Sequence, residues 1–467
     1  MSEPTVPPSP SAPPDDTDRR RDQRAWCWYD WANSVFPTSI VTVFLSLYLT
    51  TVARNDALAA GQACPTRNAL VDCGISLFGI GFPAGSLFDY LLAASTLLQV
   101  LVLPLTGAIA DRTQHKRRML GLLAFTGASA TALLALVTGT NWRLGVVLFI
   151  IATTGYYASV VIYYSVLPEI ATADERDQLS SRGWAFGYLG GGVALAVNLA
   201  TYLGRDSLGL SESAAVRVCF VTAGLWWAAF TLIPLSRMRS YQPPQGTERG
   251  LSVLTGGFRQ LSGTLRSAWS YPLTLAFLVA YLIYADGIGT VASVAGQYGD
   301  LELGLASNIL ISTILMVQFV AFFGALLHGW VARRIGAKRT ILGSLVVWIG
   351  VIAAAYFIQA GNDLQFYAVA VGIGLVLGGT SALSRSLFSQ LVPAGKEAEY
   401  FSVYEIGEQA TSTVGPILFG VIGAATGSFR PAIMSLVAFF LVGFVLVLLV
   451  PVRRAIRAAG NPMPTVV

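Results

Sequence analysis

Asp30, Asp286 and Arg385 stand inside long apolar stretches of a 467-residue chain. An ionisable side chain at the centre of a membrane-spanning helix costs about 2.5–3.5 kcal/mol on insertion scales, so each is a candidate for function. Trp26, Trp28, Tyr29 and Trp31 surround Asp30 in the sequence, and Asn33 follows it. At about 1.5 Å per residue, Asp30 lies roughly one turn, ~7 Å, into its apolar run, near the mouth of a path. The rival reading is an interfacial acid in an ordinary aromatic belt. Pro37 removes a backbone bond just beyond and is placed to kink the helix. Arg385 closes a later run, and Glu405 and Glu408 open the next. A guanidinium that pairs with Asp30 or Glu405 in one state and parts from it in another makes a gate. Acids at a helix start also complement the helix dipole, so Glu405 has a plain structural reading too. Asp286 precedes Gly287 and Gly289, which are expected to loosen the helix there. Its carboxylate suits either uptake and release of a proton or a structural hydrogen bond.

Hydroxyl groups supply the remaining candidate chemistry. Tyr157 and Tyr164 share one run, Tyr284 lies in another and Ser381 in a third. Lining a central cavity, they suit a small zwitterion or polyol. Facing one another, they are glue between helices, worth only ~0.6 kcal/mol per bond on average. The sequence contains no Walker lysine, no Ser-His-Asp set and no metal-ligand spacing. Gly372, Gly374, Gly378 and Gly379 follow no strand and precede no Lys-Ser/Thr, so close helix packing explains them. His115 and His328 are in or near short loops and are expected to be solvated. Neither an enzyme nor a cofactor nor a metal is expected.

These residues need elements to hold them, and the composition says which. Only 12% of the residues are charged and the mean hydropathy is +0.62. About twelve runs are long enough to cross the ~30 Å hydrocarbon core as helices. They lie near 26–53, 87–110, 119–139, 143–166, 183–204, 216–236, 270–291, 305–331, 340–360, 364–386, 401–425 and 429–451. The runs are continuous, not alternating, which excludes a barrel and leaves the helix as the other way to satisfy the backbone in lipid. The expected class is an all-α polytopic membrane protein with two pseudo-symmetric six-helix bundles.

An even number of spans puts both termini on one side. With this layout 24 of the 30 Lys and Arg fall on that side and 6 on the other. The positive-inside rule then makes both termini cytoplasmic in a cell membrane. The net charge of +5 reports this topology and not an affinity for nucleic acid. Cys64 and Cys73, nine apart in the expected outer loop 54–86, are either a disulfide or two free thiols. Cys27 and Cys219 read as small apolar fillers.

The chain divides into a disordered cytoplasmic tail over 1–24, six spans over 25–236, a cytoplasmic central loop over 237–268, six spans over 269–452 and a cytoplasmic tail over 453–467. No apolar stretch with a small-residue cleavage site opens it, so the first helix is expected to direct insertion. The halves echo one another. Gly107, Asp111 and Arg112 precede Lys116 and Arg117. At an offset of 222, Gly329, Arg333 and Arg334 precede Lys338 and Arg339. A duplicated six-helix unit marks transporters that rock two halves about a central site.

The loop Gly107, Asp111, Arg112, Arg117, Arg118 between the second and third spans resembles the signature of the major facilitator superfamily, with Gln114 where that family often has Gly. A narrower resemblance rests on Tyr29–Ser34, Leu167–Ala171, Tyr284–Gly287, Ala382–Phe388 and Ala398–Phe401. These look like the branch containing the fungal autophagy-related vacuolar effluxer and its bacterial relatives. The resemblance implies that spans one, four, seven and ten line the path. It also implies that Asp111, with Arg112 and Arg117 beside it, anchors the second span to the start of the eleventh. For the fungal member it implies amino-acid export.

The resulting expectation is a monomeric secondary transporter in the lipid bilayer that moves a small solute by alternating access. Without a nucleotide site its energy comes from a gradient. Proton-linked efflux of an amino acid or related metabolite is the first expectation, and plain facilitation the next. A non-transporting receptor or scaffold is the alternative, disfavoured by tails of about 25 and 16 residues in the sequence given.

Overall fold

The structure, a computed structural model, describes residues 16–62, 64, 73–77, 79–239 and 270–467. Residues 1–15 of the expected tail, 65–72 of the expected outer loop and 240–268 of the expected central loop lie outside the described residues.

The first half comprises α1 (Asp16–Asn33), α2 (Ser46–Ala59), α3 (Leu87–Arg112), α4 (Lys116–Leu133), α5 (Trp142–Ile170), α6 (Arg176–Leu203) and α7 (Glu212–Arg237). A short hairpin, β1 (Gly74–Leu77) with β2 (Ile80–Pro83), sits between α2 and α3. The second half comprises α8 (Pro272–Gln297), α9 (Ser307–Ile335), α10 (Ala337–Tyr356), α11 (Asp363–Leu391), α12 (Glu397–Thr411), α13 (Val414–Thr426), α14 (Phe429–Ser435), α15 (Val437–Leu449) and α16 (Val452–Ala458). Among the described residues, 11 helical segments are long and apolar enough to cross a membrane. End to end, α12 and α13 make the remaining pass, so the chain is a multi-pass membrane protein of two six-helix bundles. Leu97, Leu122, Phe323 and Leu449 are exposed on its outside, as lipid-facing side chains must be.

The last pass is interrupted at Leu436, between α14 and α15, and two others are broken beside a proline. Pro37 cannot donate to a preceding carbonyl, and the chain answers with a π-helical stretch over Phe36–Leu45 between α1 and α2. Pro416 lies just inside α13. There the amide of Gly415 is satisfied by the Asp286 carboxylate of α8, at 3.0 Å to Oδ2.

The halves meet along two equivalent seams. The second helix of each half packs on the fifth of the other: α3 on α12, and α9 on α6. In the first seam a Cβ at Gly107 would come within 2.5 Å of the Ala398 carbonyl oxygen, so the backbones meet with no side chain between them. Both described termini lie at one end of the molecule, called here the termini-bearing end. The hairpin and the Cys64–Cys73 disulfide, with Cα atoms 5.1 Å apart, occupy the opposite, disulfide-bearing end.

The structure corrects several expectations. Residues 16–24 are not a disordered tail but the first turns of α1. Their charges pair along and beside the helix: Asp16 with Arg19 at 2.6 Å, and Asp18 and Asp22 with Arg239 at 2.8 and 3.2 Å. Composition shows a charged run; only the fold reveals its partners. Asp30 therefore lies four turns into α1, not one. Arg385 does not close its helix, which runs on to Leu391 and buries it fully. The segment 453–467 is docked across both halves. The Asn461 amide donates to Gln390 and Val392 carbonyls at 2.8 and 2.7 Å, and the Thr465 N–H donates to Asp174 at 2.6 Å. Gly287 does not loosen α8: a Cβ there would meet Phe439 at 2.9 Å, so it serves close packing. His328 is buried, with Nε2 2.6 Å from the Ser344 hydroxyl, and is not solvated.

Candidate functional site

Between the halves lies a cavity of about 850 Å³ that reaches from Asp30 toward the disulfide-bearing end. Its walls follow helical periodicity. Tyr156, Val160 and Tyr164 present one stripe of α5, and Trp184, Gly187 and Tyr188 one stripe of α6. Thr313, Val317 and Gln318 of α9 and Phe366, Ala370 and Ile373 of α11 face them from the other half. From α1 and the π-helical stretch come Asp30, Asn33, Ser34, Thr38 and Thr42. Asp30 is the one formally charged side chain in this lining; the rest is hydroxyl, amide, aromatic and aliphatic.

Below the cavity the termini-bearing end is shut. Arg385 of α11 places Nη1 3.3 Å from Asp30 Oδ2. The same guanidinium donates through Nε to Ser180 Oγ at 2.9 Å and through Nη2 to the Ser180 carbonyl at 2.8 Å. Tyr163 OH donates to Asp30 Oδ2 at 2.8 Å. The guanidinium carbon lies 4.9 Å over Trp26 and 4.6 Å over Tyr164. A buried cation is tolerable only when its donors are filled, and here carboxylate, hydroxyl, carbonyl and ring faces fill them. Gly183 is what lets the pair form. A Cβ there would stand 2.7 Å from Asp30 Oδ2 and 3.0 Å from Arg385 Nη2.

Around this pair, the start of α6 is fastened to the last turns of α11. Ser180 Oγ donates to the Ala382 carbonyl at 2.6 Å, Ser386 Oγ to Asp177 at 2.6 Å and Arg176 Nη1 to the Ser389 carbonyl at 2.9 Å. On the other seam the Asp111 carboxylate accepts the N–H groups of Ala398 and Glu399, both at 2.9 Å. Those amides belong to the first turn of α12, where unpaired donors make an acceptor welcome. Lys116 lies 3.5 Å from Asp111 and 2.6 Å from Glu169, tying the loop to the end of α5.

Several residues singled out in the sequence thus converge, and others do not. Asp30, Asn33 and Tyr164 line the cavity. Tyr157 does not, because one residue along a helix turns the side chain by about 100° and hands the position to Tyr156. Tyr284 is bonded to Ser384 at 2.5 Å within the second half, and Ser381 to its own Leu377 carbonyl at 3.4 Å. Asp286 caps the break before α13 and stands outside the cavity lining. Arg117 donates to the Met238 carbonyl at 2.5 Å, and Arg112 closes α3 beside Asp111. Of the two acids offered to Arg385, Asp30 is the one within 4 Å; Glu405 is buried one turn from Glu408, which accepts from Tyr281 OH. Sequence reading missed Ser180, Asp177 and Arg176. Their only signal is a polar cluster opening an apolar helix.

A family profile described as "Vacuole effluxer Atg22 like" matches residues 18–460. An uncharacterized MFS-type transporter, YxiO of Bacillus subtilis, is 27% identical, covering 92% of this chain and 95% of the relative. Autophagy-related protein 22-1 of Aspergillus niger is 25% identical, covering 97% and 92%. Among solved structures, the proton:xylose symporter XylE aligns with a TM-score of 0.69 at 13% identity, covering 94% of this chain and 97% of that one. The transporter FucP in its outward conformation aligns with a TM-score of 0.64 at 12% identity, covering 92% and 98%. These structures share the fold.

Proposed function

The chain belongs to the vacuole effluxer Atg22-like family of major facilitator transporters, and from that premise we propose that it is a proton-linked exporter of amino acids or closely related small metabolites. It works by alternating access. The described state has its cavity reaching toward the disulfide-bearing end, which is the outer side of a cell membrane, with both termini cytoplasmic. The observation that carries this reading is the ion pair of Arg385 with Asp30 directly under the cavity, joining one half to the other.

Asp30 is the group through which cargo and closure meet. An ammonium group entering among Tyr156, Tyr164, Trp184 and Tyr188 finds aromatic faces and one carboxylate. By engaging Asp30 it competes with Arg385, so occupancy loosens the pair that shuts the termini-bearing end. A proton on Asp30 has the same effect. Either ligand shifts the equilibrium only by its preference for one state over the other.

Counterflow and uptake in proteoliposomes, with an amino-acid and polyol panel at imposed and collapsed pH gradients, test this. Counterflow of amino acids, accelerated by the gradient and lost in Asp30→Asn, is expected. Transport indifferent to the gradient removes the proton link, and exchange of polyols alone removes the amino-acid cargo.

A further inference from the structure

The outer face of α1 carries chemistry that transport does not use. Asp16, Arg20, Arg24 and Trp28 recur every four residues and so form a single stripe. Beside it Arg21 lies on the same side, and Arg237, the last residue of α7, faces the stripe across a cleft of about 620 Å³. All four arginines are exposed. The acids of α1 are turned elsewhere. Asp22 is fully buried against Arg239, and Asp18 meets the same guanidinium. Asp16, the acid of the cleft, is already engaged by Arg19 at 2.6 Å and lies 3.9 Å from Arg20. Arg24 and Arg237 have no acidic group of the described residues within 4.0 Å.

The cleft therefore sets four guanidinium groups against one acid of its own lining, Asp16. Arg21 is also 3.6 Å from Asp18 and 3.9 Å from Asp22, which leaves Arg24 and Arg237 as the pair directed to the cleft. Its level in the molecule is marked independently. Trp28, at its foot, stacks on Phe230 with centroids 5.8 Å apart and planes 5° apart. Trp31 and Trp226 stack next to it at 5.6 Å. These rings are half-buried on the outside of the helices, where indoles gather at the boundary between hydrocarbon and head groups. Guanidinium groups one to two turns beyond such a belt stand at the depth of lipid phosphates.

We propose that this cleft is a binding site for the phosphodiester head group of an anionic phospholipid. Arg24 and Arg237 hold the phosphate from two helices, through the planar forks that suit phosphate oxygens. Arg20 and Arg21 add positive potential, and Trp28 packs against the glycerol and upper acyl chain. Occupancy bridges the start of α1 to the end of α7. Because α1 also carries Asp30, the lipid holds in place the helix on which the closure pair is built. The site is independent of what is transported and of which leaflet it faces.

The test uses the full chain in neutral detergent. Bound lipid is counted by native mass spectrometry, and thermal unfolding is followed by tryptophan fluorescence. The probes are phosphatidylglycerol, phosphatidylcholine and inorganic phosphate. Phosphatidylglycerol is expected to bind and raise the unfolding temperature, and phosphatidylcholine to do neither. The double variant Arg24→Ala/Arg237→Ala should bind phosphatidylglycerol roughly tenfold or more weakly, given the attraction of each basic residue to anionic lipid. Its lipid-free unfolding should match the parent, since both side chains are exposed. A control, Arg453→Ala/Arg457→Ala, removes two exposed arginines elsewhere and should retain the binding. Equal affinity of the double variant and the parent overturns the site. Equal protection by inorganic phosphate or by phosphatidylcholine overturns the lipid assignment.

Discussion

The Arg385 guanidinium and the Asp30 carboxylate belong to different halves of the chain and stand 3.3 Å apart, with exposures of 0% and 13%. Burial makes the pair worth more when made and costlier when broken on one side alone, about 3–5 kcal/mol for loss of one partner. Arg385→Ala should therefore open the termini-bearing end and depress transport. A cycle with Asp30→Asn should return a coupling energy of roughly 1–3 kcal/mol in the closed-state population, read by spin-label distances across that end. Additive effects would refute a closure role.

Gly183 offers a variant that leaves both charges in place. A methyl group there meets Asp30 and Arg385 at 2.7 and 3.0 Å. Gly183→Ala is expected to reproduce the opening seen with Arg385→Ala. Unchanged distances across the end would mean the pair adapts and does not govern closure.

Asp111 offers its two carboxylate oxygens to two amides of α12. Asn keeps one acceptor and turns a donor toward a donor, a loss of about 1–3 kcal/mol where the group is buried. Asp111→Asn should slow the conformational switch and increase thiol labelling at the α3–α12 seam, with the helical content intact. Transport at the parent rate would leave Asp111 without an anchoring role.

Asp286 should behave differently from Asp30. Its carboxylate caps Gly415 at the break before α13. Asp286→Ala is expected to cost about 1–3 kcal/mol of stability through an orphaned amide, with the pH profile of residual transport unchanged. A shifted profile would move it into the coupling chemistry.

Topology is checked by labelling. An impermeant thiol reagent added to intact cells should miss His115→Cys, which is exposed at the termini-bearing end. After mild reduction it should reach Cys64, the half-buried member of the bridged pair, ahead of the buried Cys73. Labelling at position 115 from outside would invert the orientation.

Much of this was legible in the chain. Continuous apolar runs have one stable solution in lipid, so the spans and the two-bundle division follow from local sequence. Asp30, Arg385 and Asp111 stood out because charge inside or beside such runs is expensive. The failures share one cause. The charged start of α1 looks unfolded until Arg239, more than two hundred residues away, is brought to it. Tyr157 and Tyr156 are equivalent in composition, and only the rotation of α5 chooses between them.

Composition and spacing by themselves determined that this is a polytopic helical membrane protein built from a repeat, and which residues were too costly to be incidental. Tertiary structure alone decided which of those residues meet. Arg385 takes Asp30 and not Glu405, Asp286 caps a broken helix, and Ser180 joins the closure. A span's existence depends on the hydropathy of some twenty neighbouring residues, whereas a contact between halves depends on the relative rotation and register of two helices far apart in sequence.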